Sequence, residues 1–368
     1  FDEELGHITV QSGISSDEVL KKIIPKGWFL PVSPGTKYVS IGGMVASDVH
    51  GKNHHLEGSF GNHLISFKLK ISNSKILECS EEENSDLFWA TIGGMGLTGI
   101  LLEVKFKLKK IESYNIDQEV YATKNLKEVM NLFEKYKDST YTVAWVDCLA
   151  KGSSLGRSVF FKGEHSKMKT KDSYKPNFLF NINFFFPSWT MNFNFVKIFN
   201  ILYFYYFKFF PKKETDGDSF FYPLDKILNW NKIYGKKGFI QYQFLVPKDK
   251  AYETIKEVLD LVSNSGNASF LSVLKLFGKK NKGLMSFPDE GYTLAMDFQI
   301  KENTFDLLNK LDQIILKNSG KIYLSKDSRL SSKIFKDMNF NSKEFKKVLK
   351  KYNIKNFHSL QSERLKVI

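Results

Sequence analysis

Residues 34–63 read PGTKYVSIGGMVASDVHGKNHHLEGSFGNH, and four of the chain's seven histidines, His50, His54, His55 and His63, fall inside this one stretch. A metal site, an anion cradle and a flavin site all use such a run. Metal is the weakest of the three, because the stretch lacks HExxH and lacks the cysteine or carboxylate spacing that completes a zinc site. An anion cradle fits better. Pro34-Gly35-Thr36 makes a turn, Tyr38–Ile41 reads as a short strand, and Gly42-Gly43 lets the backbone approach a ligand before Ala46 and Ser47 begin a helical turn. Exposed backbone N–H groups there would bind a diphosphate. Glycine loops are common, so this one by itself leaves the chemistry open.

Outward from this stretch, HITVQ (7–11) alternates like a strand, and SSDEVLKKIIPKG carries a capping box in Ser15 and Glu18. Residues 64–80 read as two strands turning at Asn73-Ser74, and SDLFWA leads through a second glycine loop, GGMGLTGI (93–100), into a long strand. After about residue 113 the texture changes. Strands are expected in YTVAWVDCLA, GRSVFFKG, FIQYQFLVP, SFLSVLKLFG and GYTLAMDFQIK. Helices are expected in NLKEVMNLFEKY, AYETIKEVLDLVSNSG and NTFDLLNKLDQIILKNSG, the last two stopping at Ser-Gly. The interleaving predicts an α+β fold whose antiparallel sheet is covered by helices on one face.

The 368 residues, 42% hydrophobic and 26% charged, are ordinary for a folded chain, and the net charge of +14 implies an anionic partner. Nucleic acid is not expected, since the lysines are scattered and no zinc-finger, basic-zipper or RNA-recognition signature is present. Cys79 and Cys148 lie far apart, which indicates neither a disulfide framework nor a structural zinc site. The N-terminus shows no signal-peptide pattern. Residues 174–211 are rich in Phe and Tyr but broken by Asn177, Asn181, Asn183, Pro187 and Lys197, so a clean membrane span is not expected. Buried core and an aromatic, weakly basic surface at a membrane interface are both open readings.

The two glycine loops together are far more specific than either. PGT…IGG…DVHGKNHH…GSFGNH with SDLFWATIGGMGLTGI resembles the flavin domain of the vanillyl-alcohol-oxidase superfamily, and HGKNHH resembles most the decaprenylphosphoryl-β-D-ribose 2′-oxidases. FIQYQF, FLSVLKLFG, SFPDEGYTLAMDF and LSKDSR agree with it in order, so the resemblance runs along nearly the whole chain and is loosest from about 165 to 215. It implies a two-domain α+β flavoprotein: residues 1–113 with 322–368 around FAD, and 114–321 as substrate domain with a lipid-facing insertion at 174–211. Relatives carry a further N-terminal stretch with an RGxGRSYGD-like diphosphate loop, so by resemblance this sequence begins inside the FAD domain.

The implied chemistry is oxidation of the C2 hydroxyl of a polyprenyl-phosphate pentose to a 2-keto sugar, the first half of an epimerisation in cell-envelope glycan synthesis. A short-chain reductase would complete it, and a quinone would suit as electron acceptor. FAD would be held non-covalently, in a bacterial protein of cytoplasm or periplasm, peripheral to the inner membrane. By resemblance, Lys326, Lys275 and His50 serve the chemistry. FAD would lie along Pro34, Gly35, Thr36, Gly42, Gly43 and Ser47, then His50, Gly51, Asn53, Gly58, Ser59 and Asn62. Gly94, Gly96, Thr98, Gly99 and Ile100 of the second loop follow, with Tyr323 and Lys326 against the cofactor.

The substrate would meet Lys52, Tyr222, Gln241, Gln243, Lys275, Phe277, Thr293, Ala295 and Asp297. The residues alone support part of this: Gln241 and Gln243 must share a strand face, and Lys275 between apolar neighbours must find an anion or reach solvent. One departure is informative. Where actinobacterial relatives carry a cysteine in GWNxCVDF, this chain has Ala295, so thiol-directed inhibitors of the family are not expected to label it. Two other functions compete: an oxidase of a soluble sugar, alditol or aldonolactone, and a basic binding module without flavin.

Overall fold

The computed structural model describes residues 1–167, 174, 180–267, 269–338 and 340–368. Alternation in HITVQ gives β1 (His7–Gln11), and the Ser15–Glu18 capping box opens α1 (Ser16–Ile23). The next stretch departs from expectation. Tyr38–Ile41 forms no strand, and Ser40 instead caps α2 (Ile41–Ala46) by accepting the Gly43 N–H at 3.1 Å. Helix wins here because the serine satisfies an orphan donor while Ile41, Met44 and Val45 bury one face. Gly42 N–H donates to the Ser12 carbonyl at 2.7 Å, so both glycine N–H groups are engaged by the fold and form no open nest.

β2 (Leu64–Lys70), β3 (Ile76–Ser80), α3 (Ser85–Thr91) and β4 (Ile100–Lys107) follow as the sequence predicts. The four strands form an antiparallel sheet in the order β1-β4-β2-β3. The second glycine loop leaves α3 at close quarters: a Cβ on Gly94 would stand 2.2 Å from the Ala90 carbonyl oxygen, and Gly99 holds φ at +155°. Neither position accepts a side chain.

The larger sheet is built from β5 (Ile116–Thr123), α4 (Leu126–Lys135), β6 (Tyr141–Val146), β7 (Ser158–His165), α5 (Phe193–Phe209) and β8 (Glu214–Thr215). It continues through β9 (Phe239–Val246), α6 (Ala251–Asn264), β10 (Ser272–Phe277), β11 (Gly291–Gln299), α7 (Thr304–Lys317) and β12 (Lys321–Ile322). Its eight strands run β8-β5-β7-β6-β10-β11-β9-β12, each paired antiparallel to its neighbour. Of the two Ser-Gly stops, α6 is followed by Gly266 at φ +76°, but after α7 it is Ser319 that turns left-handed, at φ +61°.

Helices α4, α6 and α7 pack on the face that carries Tyr242, Phe244, Leu274, Tyr292, Leu294 and Met296. The expectation of helices on one face needs a correction, because α5 lies on the opposite face over β5, β7 and β6. Its rings reach the sheet at Tyr203–Trp145, 4.6 Å between centroids, and Phe207–Phe161, 5.1 Å. A buried polar clamp fixes it there: Asn200 donates to Asp147 Oδ1 at 2.7 Å, and Arg157 holds the other oxygen of Asp147 at 2.7 Å. Two short helices, His54–Glu57 and Gly217–Phe221, also meet that face, through His54 on Phe277 and Phe221 on Tyr141. Of the 174–211 segment, residues 175–179 lie outside the described residues.

Candidate active site

Register places the site. Gln241 stands opposite Asp297 and Gln243 opposite Ala295, while Val273, Lys275 and Phe277 of β10 stand opposite Ala295, Thr293 and Gly291. Directly opposed residues share a face, so two glutamines, a lysine, a threonine, an aspartate and a phenylalanine lie together on the face away from α4, α6 and α7. Leu245, Phe277, Phe287 and Tyr323 form a separate buried apolar cluster on it. Tyr323 ties this cluster to the first glycine loop by donating its hydroxyl to the Ser47 carbonyl at 3.0 Å.

His54 accepts the Gly278 N–H at 3.2 Å and packs on Phe277, ring centroids 4.2 Å apart. His55 and His63 bond the carbonyls of Ser139, at 2.8 Å, and Glu57, at 2.9 Å. Those three hold the loop. His50 reaches further over the sheet: it lies 4.7 Å from the Phe277 ring, and its Nε2 lies 2.9 Å from the Gln243 amide nitrogen, which donates to it. Gln243 also donates to Thr293 Oγ1 at 3.0 Å, and that hydroxyl donates onward to the Phe244 carbonyl at 2.7 Å. Accepting at Nε2 puts the imidazole proton on Nδ1, a buried atom with no partner among the described residues. Burial first, then the charges of Lys275, His54 and Lys326, hold the His50 pKa well below the ordinary value, so the ring is neutral.

Around it the field is positive. Burial lowers Lys275 to about 8, helped by the charge of Lys326, and lowers Lys52 to about 7, helped by the charge of Lys275. Lys326 is lowered too, by burial, with Asp297 opposing. By exposed area Lys326 is open, but protein lies near enough to its ammonium to replace much of its hydration. Among the described residues, Lys275 and Lys326 have no ion-pair or hydrogen-bond partner for their ammonium groups. Lys52 has the Phe220 carbonyl and, 4.4 Å away, the Phe220 ring. Asp297 is pushed up to about 7 by burial, against the pull of Gln241, which donates to it at 2.6 Å, of Lys326, and of Tyr234 at 3.3 Å.

Other expected residues serve the frame. Gly58, Ser59 and Asn62 form a capped turn in which Ser59 N–H donates to Asn62 Oδ1 at 3.0 Å. Tyr222 does not join the sheet face: it is wholly buried, with its hydroxyl on Ser33 Oγ. Ile100 is exposed at the start of β4. Two clusters escaped sequence reasoning. Asp48, fully buried, gathers Ser59 Oγ, Gly61 N–H, Asn281 and Ser286, and so fastens the histidine loop to the β10–β11 connection. Lys37, also buried, meets Asp218 at 2.8 Å, Tyr174 at 2.7 Å and Asp17 at 3.5 Å, while its own N–H donates to Asp225 at 2.8 Å. It pins the Pro34–Thr36 turn. Phe287, within the SFPDEGY segment, joins the apolar cluster without any signal in its own spacing.

Residues 1–80 match the family model for the FAD binding domain. The decaprenylphosphoryl-β-D-ribose oxidase of Mycolicibacterium smegmatis is 36% identical over 344 residues, 90% of this chain and 74% of that protein. The chain belongs to the decaprenylphosphoryl-β-D-ribose oxidase family. An uncharacterized protein of Streptomyces coelicolor is 24% identical over 346 residues, 88% of this chain and 92% of its own length. L-gulonolactone oxidase of Bos taurus is 29% identical over 143 residues, 38% of this chain and 31% of that enzyme. As a member of the decaprenylphosphoryl-β-D-ribose oxidase family, the protein is an FAD-dependent oxidoreductase of α+β fold.

The residues present fit that cofactor. His50 Nδ1, Asn53 Oδ1 and Thr98 Oγ1 are buried polar atoms with no partner among the described residues, and all three come from the two glycine-loop regions. Buried polar groups are normally bonded, so a ligand with donors and acceptors completes them. The partnerless lysines supply the positive charge that a diphosphate-bearing, electron-accepting ligand favours. Ala295 faces the same site without a thiol, and both cysteines are buried, with burial pushing each thiol up to about 12.

Proposed function

We propose that the protein oxidises the C2 hydroxyl of a polyprenyl-phosphate pentose, of the decaprenylphosphoryl-ribose type, to the 2-keto sugar. The observation that carries this reading is Lys275 on the sheet face with no carboxylate beside it, close enough to Lys52 and Lys326 for their charges to interact, in a chain of this family. Lys275 and Lys52 receive the phosphate, whose negative charge compensates their desolvation. Asp297, Gln241 and Thr293 orient the sugar hydroxyls from the strand face. Bound FAD supplies the hydride acceptor for the C2 hydrogen. Lys326 Nζ takes the O2 proton in its free-amine form, and burial makes that form accessible. His50, neutral and fixed by Gln243, holds the cofactor edge through its Nδ1–H.

The same proposal divides the chain into 1–113 with 322–368 around a non-covalently held FAD, and 114–321 on the substrate. A short-chain reductase acts next to complete the epimerisation for cell-envelope glycans, a quinone reoxidises the cofactor, and the enzyme works peripherally at a bacterial inner membrane. Among the described residues no helix is long and apolar enough to cross a membrane.

Anaerobic addition of a short-chain prenylphosphoryl ribose to the flavin-loaded protein tests the chemistry: the flavin band bleaches if the reading is right. A bound flavin that stays oxidised with this substrate, yet bleaches with an alditol or aldonolactone, overturns it in favour of a soluble-sugar oxidase.

A further inference from the structure

We infer that α5 is a docking helix that lays its outer face into the headgroup–acyl boundary of an anionic membrane, beside the active-site face. This deepens the polyprenyl-phosphate reading, on which its purpose rests, but it stands on a separate surface. The inner side of α5 buries Val196, Asn200 and Phe204. Its outer side carries Phe195, Ile198, Phe199, Leu202, Tyr205, Tyr206 and Phe209, between 38% and 65% exposed, at the i, i+3, i+4, i+7 spacing of a single stripe. The clamp of Asn200, Asp147 and Arg157 fixes the helix on the sheet, so this apolar stripe is presented rigidly to the outside. A contiguous exposed patch of this kind marks an interaction surface.

Charge selects the occupant. Residues 180–213 hold Lys197, Lys208, Lys212 and Lys213 and no Asp or Glu. Lys208 lies 5.6 Å from the Tyr205 ring and 5.7 Å from that of Phe209, at the edge of the stripe. Apolar and aromatic side chains flanked by lysines alone suit an anionic lipid surface. A second copy of the chain would set these lysines against their equivalents. The stripe also touches the site: Phe199 packs on Phe270 at 5.7 Å, Phe270 on Tyr234 at 5.4 Å, and Tyr234 donates to Asp297 at 3.3 Å. Two ring contacts link the membrane-facing edge to the sugar-facing floor, so a prenyl tail could stay in lipid while its headgroup enters.

Co-sedimentation of the flavin-loaded full chain with vesicles of phosphatidylglycerol and phosphatidylcholine in equal parts is the test. Binding is expected, weaker on phosphatidylcholine alone, and reduced at least about ten-fold in the triple variant Ile198→Ser, Leu202→Ser, Phe209→Ser. Flavin content and turnover of a water-soluble short-chain substrate should stay unchanged in that variant. If the triple variant loses its flavin, Lys197→Glu with Lys208→Glu decides instead by abolishing the preference for anionic vesicles. Parent protein that stays off the vesicles, a variant that binds as the parent does, or a parent dimer that the variant dissolves would each overturn docking. Docking can fail while short-chain substrate still bleaches the flavin, and the reverse, so the two readings are separable.

Discussion

Lys37 and Lys275 are the same residue in two opposite predicaments. Lys37, 2% exposed, has Asp218, Asp17 and Tyr174 around its ammonium. Lys275 is half-buried by exposed area, protein crowds its ammonium enough to lower its pKa, and no partner among the described residues neutralises it. A buried cation with counter-ions belongs to the fold, whereas a desolvated one without them fits the ligand role proposed for Lys275. The contrast turns on what happens when each is deleted.

Lys37→Met leaves Asp218 buried without its cation, while Asp17 keeps Lys21 at 2.6 Å, and chemical denaturation should show a loss of about 3–5 kcal/mol. A loss below about 1 kcal/mol would mean that the clasp is not a structural pair. Lys275→Met should do the reverse: kcat/KM falls by about 10²–10³, while the melting temperature holds or rises because an unpaired charge is gone. A variant that unfolds with activity per folded molecule intact would erase the distinction.

A third test uses pH. The phosphate needs the ammonium form, and any ligand anion raises the lysine pKa, so binding takes up protons where the free protein is deprotonated. With Lys275 at about 8, affinity should fall by up to about ten-fold per pH unit above that value. Lys52, at about 7, should start the decline earlier. Calorimetry in two buffers of different ionisation enthalpy reads the proton uptake directly, and affinity flat from pH 7 to about 10 would count against both lysines. Gln243→Ala should have a smaller effect, costing about 1 kcal/mol, or roughly five-fold in flavin affinity, through the freed His50 ring. The smallest expected signal is none at all: thiol-directed inhibitors should leave no adduct on the GYTLAMDF peptide by mass spectrometry.

The sequence made one half of this contrast readable. Lys275 between Leu274 and Leu276 announces a charge in an apolar strand, and the QYQF alternation puts Gln241 and Gln243 on one face, as the register bears out. The Lys37 clasp was not readable, because Asp218 lies 181 residues away and nothing local to either residue points to the other. The short strand expected at Tyr38–Ile41 failed for a local reason: the Ser40 cap and the buried spacing of Ile41, Met44 and Val45 made a helix. For residues 193–209 one side of α5 is core and the other is exposed surface, which neither open reading gave by itself. Periodicity shows its stripe only once the helix boundaries are known.

The threads that close the site are long. His50 to Gln243 spans 193 residues, Ser286 to Asp48 spans 238, and Tyr323 to Ser47 spans 276. Each closes a large loop, so such contacts are slow to form and come late in folding. A ribosome that stalls before Tyr323 leaves a chain without the wall that Tyr323 and Lys326 provide, however well its first sheet has formed. On the proposed roles of Tyr323 and Lys326, redox competence thus arrives last, after the polypeptide has closed on itself, and an unfinished molecule would not run the flavin chemistry prematurely.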